Sequence, residues 1–263
     1  MTDIIDIPII QLVIAYVFVL ILLLIVRYRK MGHTSEILIA SLRMTIQLIL
    51  VGYVLTYIFA NPSIPVVLMV LVLMEGFAIQ NIYSRISSPI SLSLKMIIGG
   101  AMVIGTGISI FTFLLVVVRL DPWYLPQYFI PISGMLIGNS MTGISLGIEG
   151  LINGIQDNKA QIENALMLGA TPEMTTVNIT NRAFYNAILP TLNSMIGMGI
   201  IFLPGMMTGQ MLAGAPPLTA IKYQIAIMMG IMGSVTLTVY IMIHWGERTF
   251  FNDRKQLDLF NQD

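Results

Sequence analysis

The sequence predicts an all-α integral membrane protein with about seven transmembrane helices. Hydrophobic residues make up 56% of the 263-residue chain and charged residues only 10%, whereas a soluble protein carries roughly 25% charged residues. Apolar stretches close to the ~20 residues that cross a bilayer as a helix recur along the chain. Short breaks rich in proline, glycine and polar residues separate several of these stretches.

The spans are predicted to follow one another with the N-terminus outside the cell and the C-terminus in the cytoplasm. The first apolar run follows Asp3 and Asp6, precedes a basic cluster that begins at Arg27, and lacks a small-residue cleavage site. We therefore interpret it as a retained span and not as a signal peptide. Most lysines and arginines then fall in cytoplasmic loops, as the positive-inside rule requires. The spans are predicted at residues 9–26, 37–59, 65–83, 96–118, 127–148, 188–212 and 218–245.

The whole chain, residues 1–263, is expected to form a single transmembrane domain, multi-pass in the cytoplasmic membrane and in contact with its lipid. Pro204-Gly205 interrupts the sixth predicted span, so a re-entrant hairpin or an interfacial helix within 188–245 is an alternative there. A net charge of zero and the lack of a basic run give no indication of a nucleic-acid partner. The absence of cysteine excludes disulfides, thiolate metal sites and thiol catalysis.

A polar segment at about 153–186 lies between the fifth and sixth predicted spans and faces the cytoplasm in this topology. The apolar positions that precede Gly169 suit an amphipathic helix, which this glycine can end in the left-handed conformation. Thr171, Pro172 and Glu173 have the form of a new helix start, with a capping hydroxyl, a proline at the first helical position and an acid in the first turn. The segment therefore predicts two short helices that meet at a sharp turn. An ordinary interfacial loop is the alternative.

Motifs within and around this segment resemble those of ABC-transporter permeases. Glu163, Ala165 and Gly169 have the spacing of their coupling motif, although Asn164 stands where that motif has its first alanine. The Leu-Pro with which importers usually continue the motif is absent at the corresponding position, which argues against a standard importer subunit. Over most of its length the chain resembles the FetB family of ABC permeases, which is linked to iron export in bacteria and, in plant relatives, to aluminium tolerance. The segments that carry this resemblance are 43–55, 131–141, 203–209 and 220–225.

The resemblance implies a permease subunit, and not an enzyme, that works as a homodimer with a separate cytosolic ABC ATPase. That ATPase would bind ATP and Mg²⁺, and no cofactor is expected in this chain, which lacks a Gly-x-x-x-x-Gly-Lys-Ser/Thr phosphate loop. The expected cargo (iron, another metal ion or a small solute) and the expected direction, export, come from the resemblance alone. The segment 160–180 is implied to couple to the ATPase through Glu163, Ala165, Leu168, Gly169, Ala170, Thr171 and Pro172.

Polar residues inside the predicted spans mark a candidate translocation pathway, because a charge there costs about 2.5–3.5 kcal/mol on insertion scales. Arg43 and Glu75 are predicted at similar depth in neighbouring antiparallel spans, which favours an ion pair between them. Snorkelling of Arg43 to lipid phosphates is the alternative. Pro204-Gly205 would free backbone carbonyls in mid-span, as the broken helices of transporters do. The candidate pathway residues are Arg43, Gln47, Glu75, Asn139, Pro204 and Gly205.

Two other functions fit parts of the sequence. Gly143-Ile-Ser145-Leu-Gly147 matches the Gly-x-Ser-x-Gly nucleophile pattern of serine hydrolases, with His33 or His244 as the candidate base. An ion-driven secondary transporter would use Glu75 as its proton carrier. The sequence defines no set of metal ligands: its 20 methionines could bind a soft metal ion, but methionine also fills apolar space without binding metal.

Overall fold

The computed structural model describes residues 7–30, 32, 34–86 and 90–258 of the chain. Within those ranges the regular structure is helical and no strand forms. The prediction of an all-α membrane protein is confirmed. Asp3, Asp6 and His33, on which parts of the sequence interpretation depend, lie outside the described residues.

Prolines stand in the first turn of four of the long helices, where the missing N–H costs no hydrogen bond and the fixed φ favours helix. The fifth helix instead begins after Ser91, whose hydroxyl accepts a hydrogen bond from the N–H of Leu94 at 3.2 Å. This helix ends in a π-helical turn, Phe113–Val118, and the tenth is followed by a 3₁₀ turn, Glu247–Phe250. The helices are α1 (Ile9–Ala15), α2 (Val17–Tyr28), α3 (Thr34–Ala60), α4 (Ile64–Arg85), α5 (Leu92–Thr112), α6 (Pro126–Asp157), α7 (Lys159–Met167), α8 (Pro172–Gly197), α9 (Gly205–Leu212) and α10 (Pro217–Gly246).

The described part of the chain contains six helices that are long and apolar enough to cross a membrane. They correspond to the first five predicted spans and to the last one, so those positions agree with the sequence prediction. The predicted count of about seven is not confirmed. The six segments are Ile9–Tyr28, Thr34–Ala60, Ile64–Arg85, Leu92–Val118, Pro126–Asp157 and Pro217–Phe250.

The predicted span at 188–212 does not form one continuous helix. Its first part belongs to the end of α8, and its last part is the eight-residue helix α9. Between them the chain turns at Gly199, which has a φ of +85° and donates its N–H to the carbonyl oxygen of Phe202 at 2.9 Å. The break predicted at Pro204-Gly205 coincides with the end of this non-helical stretch, because Pro204 is its last residue and Gly205 begins α9; the stretch itself starts earlier, after Gly197. The turn is possible at Gly199 because glycine adopts a positive φ without a steric cost.

The chain divides into two compact units, of which the first comprises α1, α2 and α3 together with residues 212–214. Within it, α2 packs on α3 as an antiparallel pair, and the hydroxyls of Tyr16 and Thr45 are hydrogen-bonded. The outward side chains of both helices are mostly apolar. This is the surface expected of helices in a bilayer, where lipid and not water is the solvent.

The second unit comprises residues 63–211 and 215–258 and is built around α6. Helices α4, α5, α8 and α10 all pack on α6. Two glycines of α6 allow this close approach: a Cβ added at Gly143 would lie 2.8 Å from a methyl of Val235, and one at Gly147 would lie 2.9 Å from the terminal methyl of Met242. Small residues at such contacts let helix backbones approach closely. The second unit therefore contains a tightly packed helical core that positions α7 and α8.

Candidate functional site

The turn between α7 and α8 has the geometry that the sequence predicts. Gly169 follows α7 with a φ of +93° and donates its N–H to the carbonyl oxygen of Leu166 at 3.0 Å. The N–H of Ala170 bonds to the carbonyl oxygen of Ala165, also at 3.0 Å. These two bonds form a Schellman motif, which satisfies the last carbonyls of a helix and requires a left-handed residue. Glycine adopts that conformation without a steric cost.

The start of α8 also agrees with the prediction. Thr171 is its N-cap, and the Thr171 hydroxyl oxygen accepts a hydrogen bond from the N–H of Met174 at 3.4 Å. Pro172 occupies the first helical position and Glu173 the first turn. Hydrogen bonds from its own backbone N–H and from the Thr171 side chain hold the pKa of the Glu173 carboxyl below its usual value. A negative charge at this end of a helix is stabilising.

The tip of this helix–turn–helix is apolar and exposed. Met167 and Leu168 are 83% and 90% exposed, and Met174 in the first turn of α8 is 68% exposed. We call these three side chains the coupling tip. Ile162, on the opposite face of α7, is only 1% exposed and packs in the core of the second unit. Exposed apolar side chains on a helix whose opposite face is buried in the core are typical of a surface that another protein covers.

Helix α8 connects the coupling tip to the helix core without a break. It runs antiparallel to α6: a Cβ at Gly150 would lie 3.4 Å from the Cα of Ala183, and one at Gly154 would lie 2.5 Å from a methyl of Ile179. Near its start, the buried hydroxyl of Thr176 lies 3.4 Å from the carboxyl group of Glu247, in the 3₁₀ turn after α10. A displacement of the coupling tip would therefore be passed on to both α6 and α10.

A groove of about 620 Å³ lies between α6, α7 and α8, beside the coupling tip. Its lining is dominated by amide and charged side chains, which the sequence analysis did not assign to a site. The signal that could have found them is the spacing of polar residues at three and four positions along α6 and α8. These residues are Asn153, Asp157, Asn158, Gln161, Asn178, Arg182 and Asn186.

Glu75, the carboxylate predicted well inside a span, is buried in the second unit at 9% exposure. One of its carboxyl oxygens accepts a hydrogen bond from the hydroxyl of Thr106 on α5, and that hydroxyl also lies 2.6 Å from the carbonyl oxygen of Met102. Its other oxygen, Oε2, has no hydrogen-bond partner in the part of the chain that the structure describes. The sequence did not indicate Thr106 as a partner, because a threonine within a helix usually bonds to its own backbone.

We expect Thr106→Val to destabilise the protein by about 1–3 kcal/mol, because the substitution leaves a buried carboxyl group without its hydrogen bond. Thermal unfolding in detergent measures the effect. Thr106→Ser keeps the hydroxyl and is the matched control. Equal unfolding temperatures for the two variants would show that the contact with Glu75 contributes nothing to stability.

The predicted pathway residues are divided between the two units. Arg43 and Gln47 lie on α3 in the first unit, and the predicted ion pair between Arg43 and Glu75 stays a prediction. Within the second unit Glu75 is buried against α5, whereas Asn139 is exposed on α6. These two side chains therefore belong to different environments, and they do not form a common cation site.

The geometry does not support the serine-hydrolase alternative. Ser145 lies inside the continuous helix α6 and donates its hydroxyl proton to the carbonyl oxygen of Met141 at 2.8 Å. The nucleophile elbow requires a strand-to-helix turn instead. His244 stacks on Tyr240 of its own helix, with ring centroids 5.7 Å apart. Among the described residues no three His, Asp or Glu side chains gather where they could hold a metal ion.

Comparisons with known proteins place the chain in a family. Residues 9–251 match the family described as "Uncharacterised protein family (UPF0014)". The UPF0014 membrane protein slr1647 of Synechocystis is 37% identical over 89% of this chain and 90% of its own length. The probable iron export permease protein FetB of Escherichia coli is 32% identical, covering 94% and 93% of the two chains. The Arabidopsis thaliana protein ALUMINUM SENSITIVE 3 is 32% identical, covering 95% and 90%. No solved structure matches the chain significantly.

Proposed function

Because this multi-pass membrane protein belongs to the UPF0014 family, we propose that it is the membrane-spanning permease subunit of an ABC transporter, driven by a separate ATPase. The observation that carries the proposal is the coupling tip: three exposed apolar side chains on a sharply turned helix pair that is anchored in the core. An ATPase subunit with a complementary apolar groove would bury them. The coupling residues are Glu163, Ala165, Leu168, Gly169, Ala170, Thr171 and Pro172.

The cycle would follow from that docking. ATP and Mg²⁺ bind to two ATPase subunits, which close on each other and move the coupling tips of two permease copies. Helix α8 would carry each displacement to α6 and α10, because it packs on both of them. The passage between the two copies then changes from inward to outward access. The homodimer is part of this proposal.

The proposed cargo is iron or another metal ion, or a small solute, and the proposed direction is export. Support comes from the name of the Escherichia coli relative, a probable iron export permease. The pathway residues of the sequence prediction, Arg43, Gln47, Glu75, Asn139, Pro204 and Gly205, stay a prediction; of these, Asn139 is exposed on α6 and Glu75 is buried against α5. A charge or an amide at membrane depth is costly unless it faces water or a polar partner, as it would along such a route.

The test is to capture the tagged chain from native membranes and to identify what is bound to it. We expect an ABC ATPase to be captured with it, and ATP hydrolysis to require that second subunit. Hydrolysis by the purified chain alone would contradict the proposal. Capture of the chain alone, with transport that continues after the ATPase gene is deleted, would favour the ion-driven carrier. The observation in favour of that second candidate is the unbonded carboxyl oxygen of Glu75, which could carry a proton.

A further inference from the structure

The exposed face of α6 is polar from Asn139 to Asp157, over the last part of the predicted span 127–148 and the polar segment that follows it. Between Asn139 and Asp157 its exposed side chains fall within a sector of about 100° at the 100° per residue of an α-helix. Only one of them, Leu146 at 36% exposure, is apolar. Asn139 and Asn153 alone are separated by about 21 Å along the axis. The exposed polar residues are Asn139, Thr142, Glu149, Asn153, Gln156 and Asp157.

Helix α8 extends this polar face beside α6. In the antiparallel register set by Gly147 against Ala187, Asn193 lies at about the depth of Asn139 at a rise of 1.5 Å per residue. Four exposed polar side chains of α8 lie on this side; the first three are four residues apart, and half-buried Leu189 and exposed Pro190 separate the third from the fourth. They are Asn178, Arg182, Asn186 and Asn193.

The neighbouring helix α5 shows the opposite pattern. Its exposed side chains are almost all apolar from Met96 to Val117, with Ile104 at 44% and Ile108 at 54% exposure. Gly105 packs on Thr238, and Ser140 is hydrogen-bonded to Ser234 one turn away. Ile104 and Thr142 therefore lie at similar depth on different sides of the same unit. The apolar side suits lipid and the polar side does not.

Lipid is a poor solvent for the polar face, because each unsatisfied polar group in hydrocarbon costs several kcal/mol. The Asn139 amide donates to the carbonyl oxygen of Met135 at 2.8 Å, and its own carbonyl oxygen accepts nothing from the described residues. Glu149, directly after the predicted end of the span at 148, carries a charge on the same face. These groups require water or another polar surface opposite them.

We propose that the polar face of α6 and α8 is the wall of a water-filled passage for a hydrophilic cation, and that a second copy of the chain provides the opposite wall. The proposal rests on the proposed transport function and assigns a route and a charge preference to it. The groove beside the coupling tip, which shares Asn153, Asp157 and Asn186 with this face, is the mouth of the passage. Amide and carboxylate oxygens suit hard cations.

Three charged side chains lie along this face. Glu149 and Asp157 contribute two negative charges and Arg182 one positive charge, so the face is negative overall. Lys159 and Glu163 of α7 lie 3.8 Å apart, and their opposite charges offset each other. Of these three residues, Glu149 is the acid that precedes Asn153 in α6 and therefore lies on the membrane side of it. We assign to Glu149 the preference for cations.

Because the chain contains no cysteine, single-cysteine variants report water access directly. We expect Asn139→Cys and Thr142→Cys to react with a water-soluble, charged thiosulfonate at least about tenfold faster than Ile104→Cys, because the reactive thiolate does not form in hydrocarbon. Labelling is measured in native membranes opened on both sides. Rates as slow as that of Ile104→Cys at both positions would overturn the passage. Reaction of all three variants after detergent unfolding checks that each cysteine is intact.

The charge preference is tested at low ionic strength on the Thr142→Cys background, about 10 Å from Glu149 along α6, with thiosulfonates of opposite charge. Glu149→Gln should lower the ratio of the cationic to the anionic labelling rate about three- to fivefold, as expected for one charge about 10 Å away in water. Arg182→Gln is the matched variant, and it should raise the same ratio. An unchanged ratio in Glu149→Gln would overturn the role of Glu149.

The second copy is tested with a bifunctional thiol reagent. Thr142→Cys should give a covalent dimer, and Ile104→Cys should not. Rapid labelling without a dimer would overturn the second copy as the opposite wall. None of these readouts needs ATP or an ATPase, so the two proposals can fail separately. If the polar face is reactive but the chain captures no ATPase, only the ABC permease proposal is rejected. If the chain captures an ATPase but the polar face is unreactive, only the passage is rejected.

Discussion

We expect Leu168→Asp to abolish capture of the ATPase subunit and every transport activity that depends on it. The side chain is 90% exposed at the coupling tip, so the substitution removes no contact within the chain. In the complex it would place a carboxylate in an apolar groove, and burial of an unpaired charge costs several kcal/mol. Each 1.4 kcal/mol is a factor of ten in affinity, so a loss of at least about 100-fold is expected. Quantitative capture from membranes measures it.

The matched control is Leu218→Asp, which makes the same change at a leucine that is 74% exposed at the start of α10. Leu218 lies at the opposite end of α10 from the turn that contacts α8. This variant should capture the ATPase as the unmodified chain does. If Leu168→Asp also captured it normally, the coupling tip would not be the docking surface. A loss in both variants would point to a general defect in folding or insertion.

We expect Gly105→Ala to destabilise the protein, and to do so more than Gly107→Ala on the same helix. A Cβ at Gly105 would lie 2.4 Å from a methyl and 2.9 Å from the Cα of Thr238. The backbone atom cannot move unless α5 and α10 separate. Overpacking of this kind costs typically 1–3 kcal/mol, and occasionally more. The midpoint of thermal unfolding in detergent should fall accordingly.

Gly107→Ala on the same helix is the control, because a Cβ there meets nothing within 4 Å. Alanine is the better helix former by about 1 kcal/mol, so Gly107→Ala should be neutral or stabilising. Adding Thr238→Ser to Gly105→Ala removes the nearest methyl and should restore part of the stability. Equal midpoints for Gly105→Ala and Gly107→Ala would contradict the close contact between α5 and α10.

The features that sequence analysis predicted correctly have local causes. The spans follow from the composition of stretches about 20 residues long. The turn between α7 and α8 follows from Gly169, which tolerates a positive φ, and from Thr171 and Pro172, which begin a helix. Each of these signals depends on a short stretch of sequence and not on how distant parts of the chain pack.

The features that sequence analysis missed depend on which helices pack together. Nothing near Glu75 in the sequence indicates that its hydrogen-bond partner is Thr106, 31 residues away on another helix. In 188–212 the interruption at Pro204-Gly205 was predicted, but the left-handed turn at Gly199 that begins it was not. The first difference comes from a contact between residues on different helices, and the second from a glycine whose positive φ the local sequence permits but does not require.

By itself, then, the sequence determined that this protein is a helical membrane protein with an exposed helix pair between its later spans, because hydrophobicity and capping act locally. The tertiary structure decided which side of each helix remains uncovered. The polar residues of α6 recur at helical spacing in the sequence, but only the packing of α4, α5, α8 and α10 around α6 leaves Asn139, Thr142 and Glu149 exposed together. Helical periodicity defines a face, and the neighbouring helices determine whether that face meets protein, lipid or water.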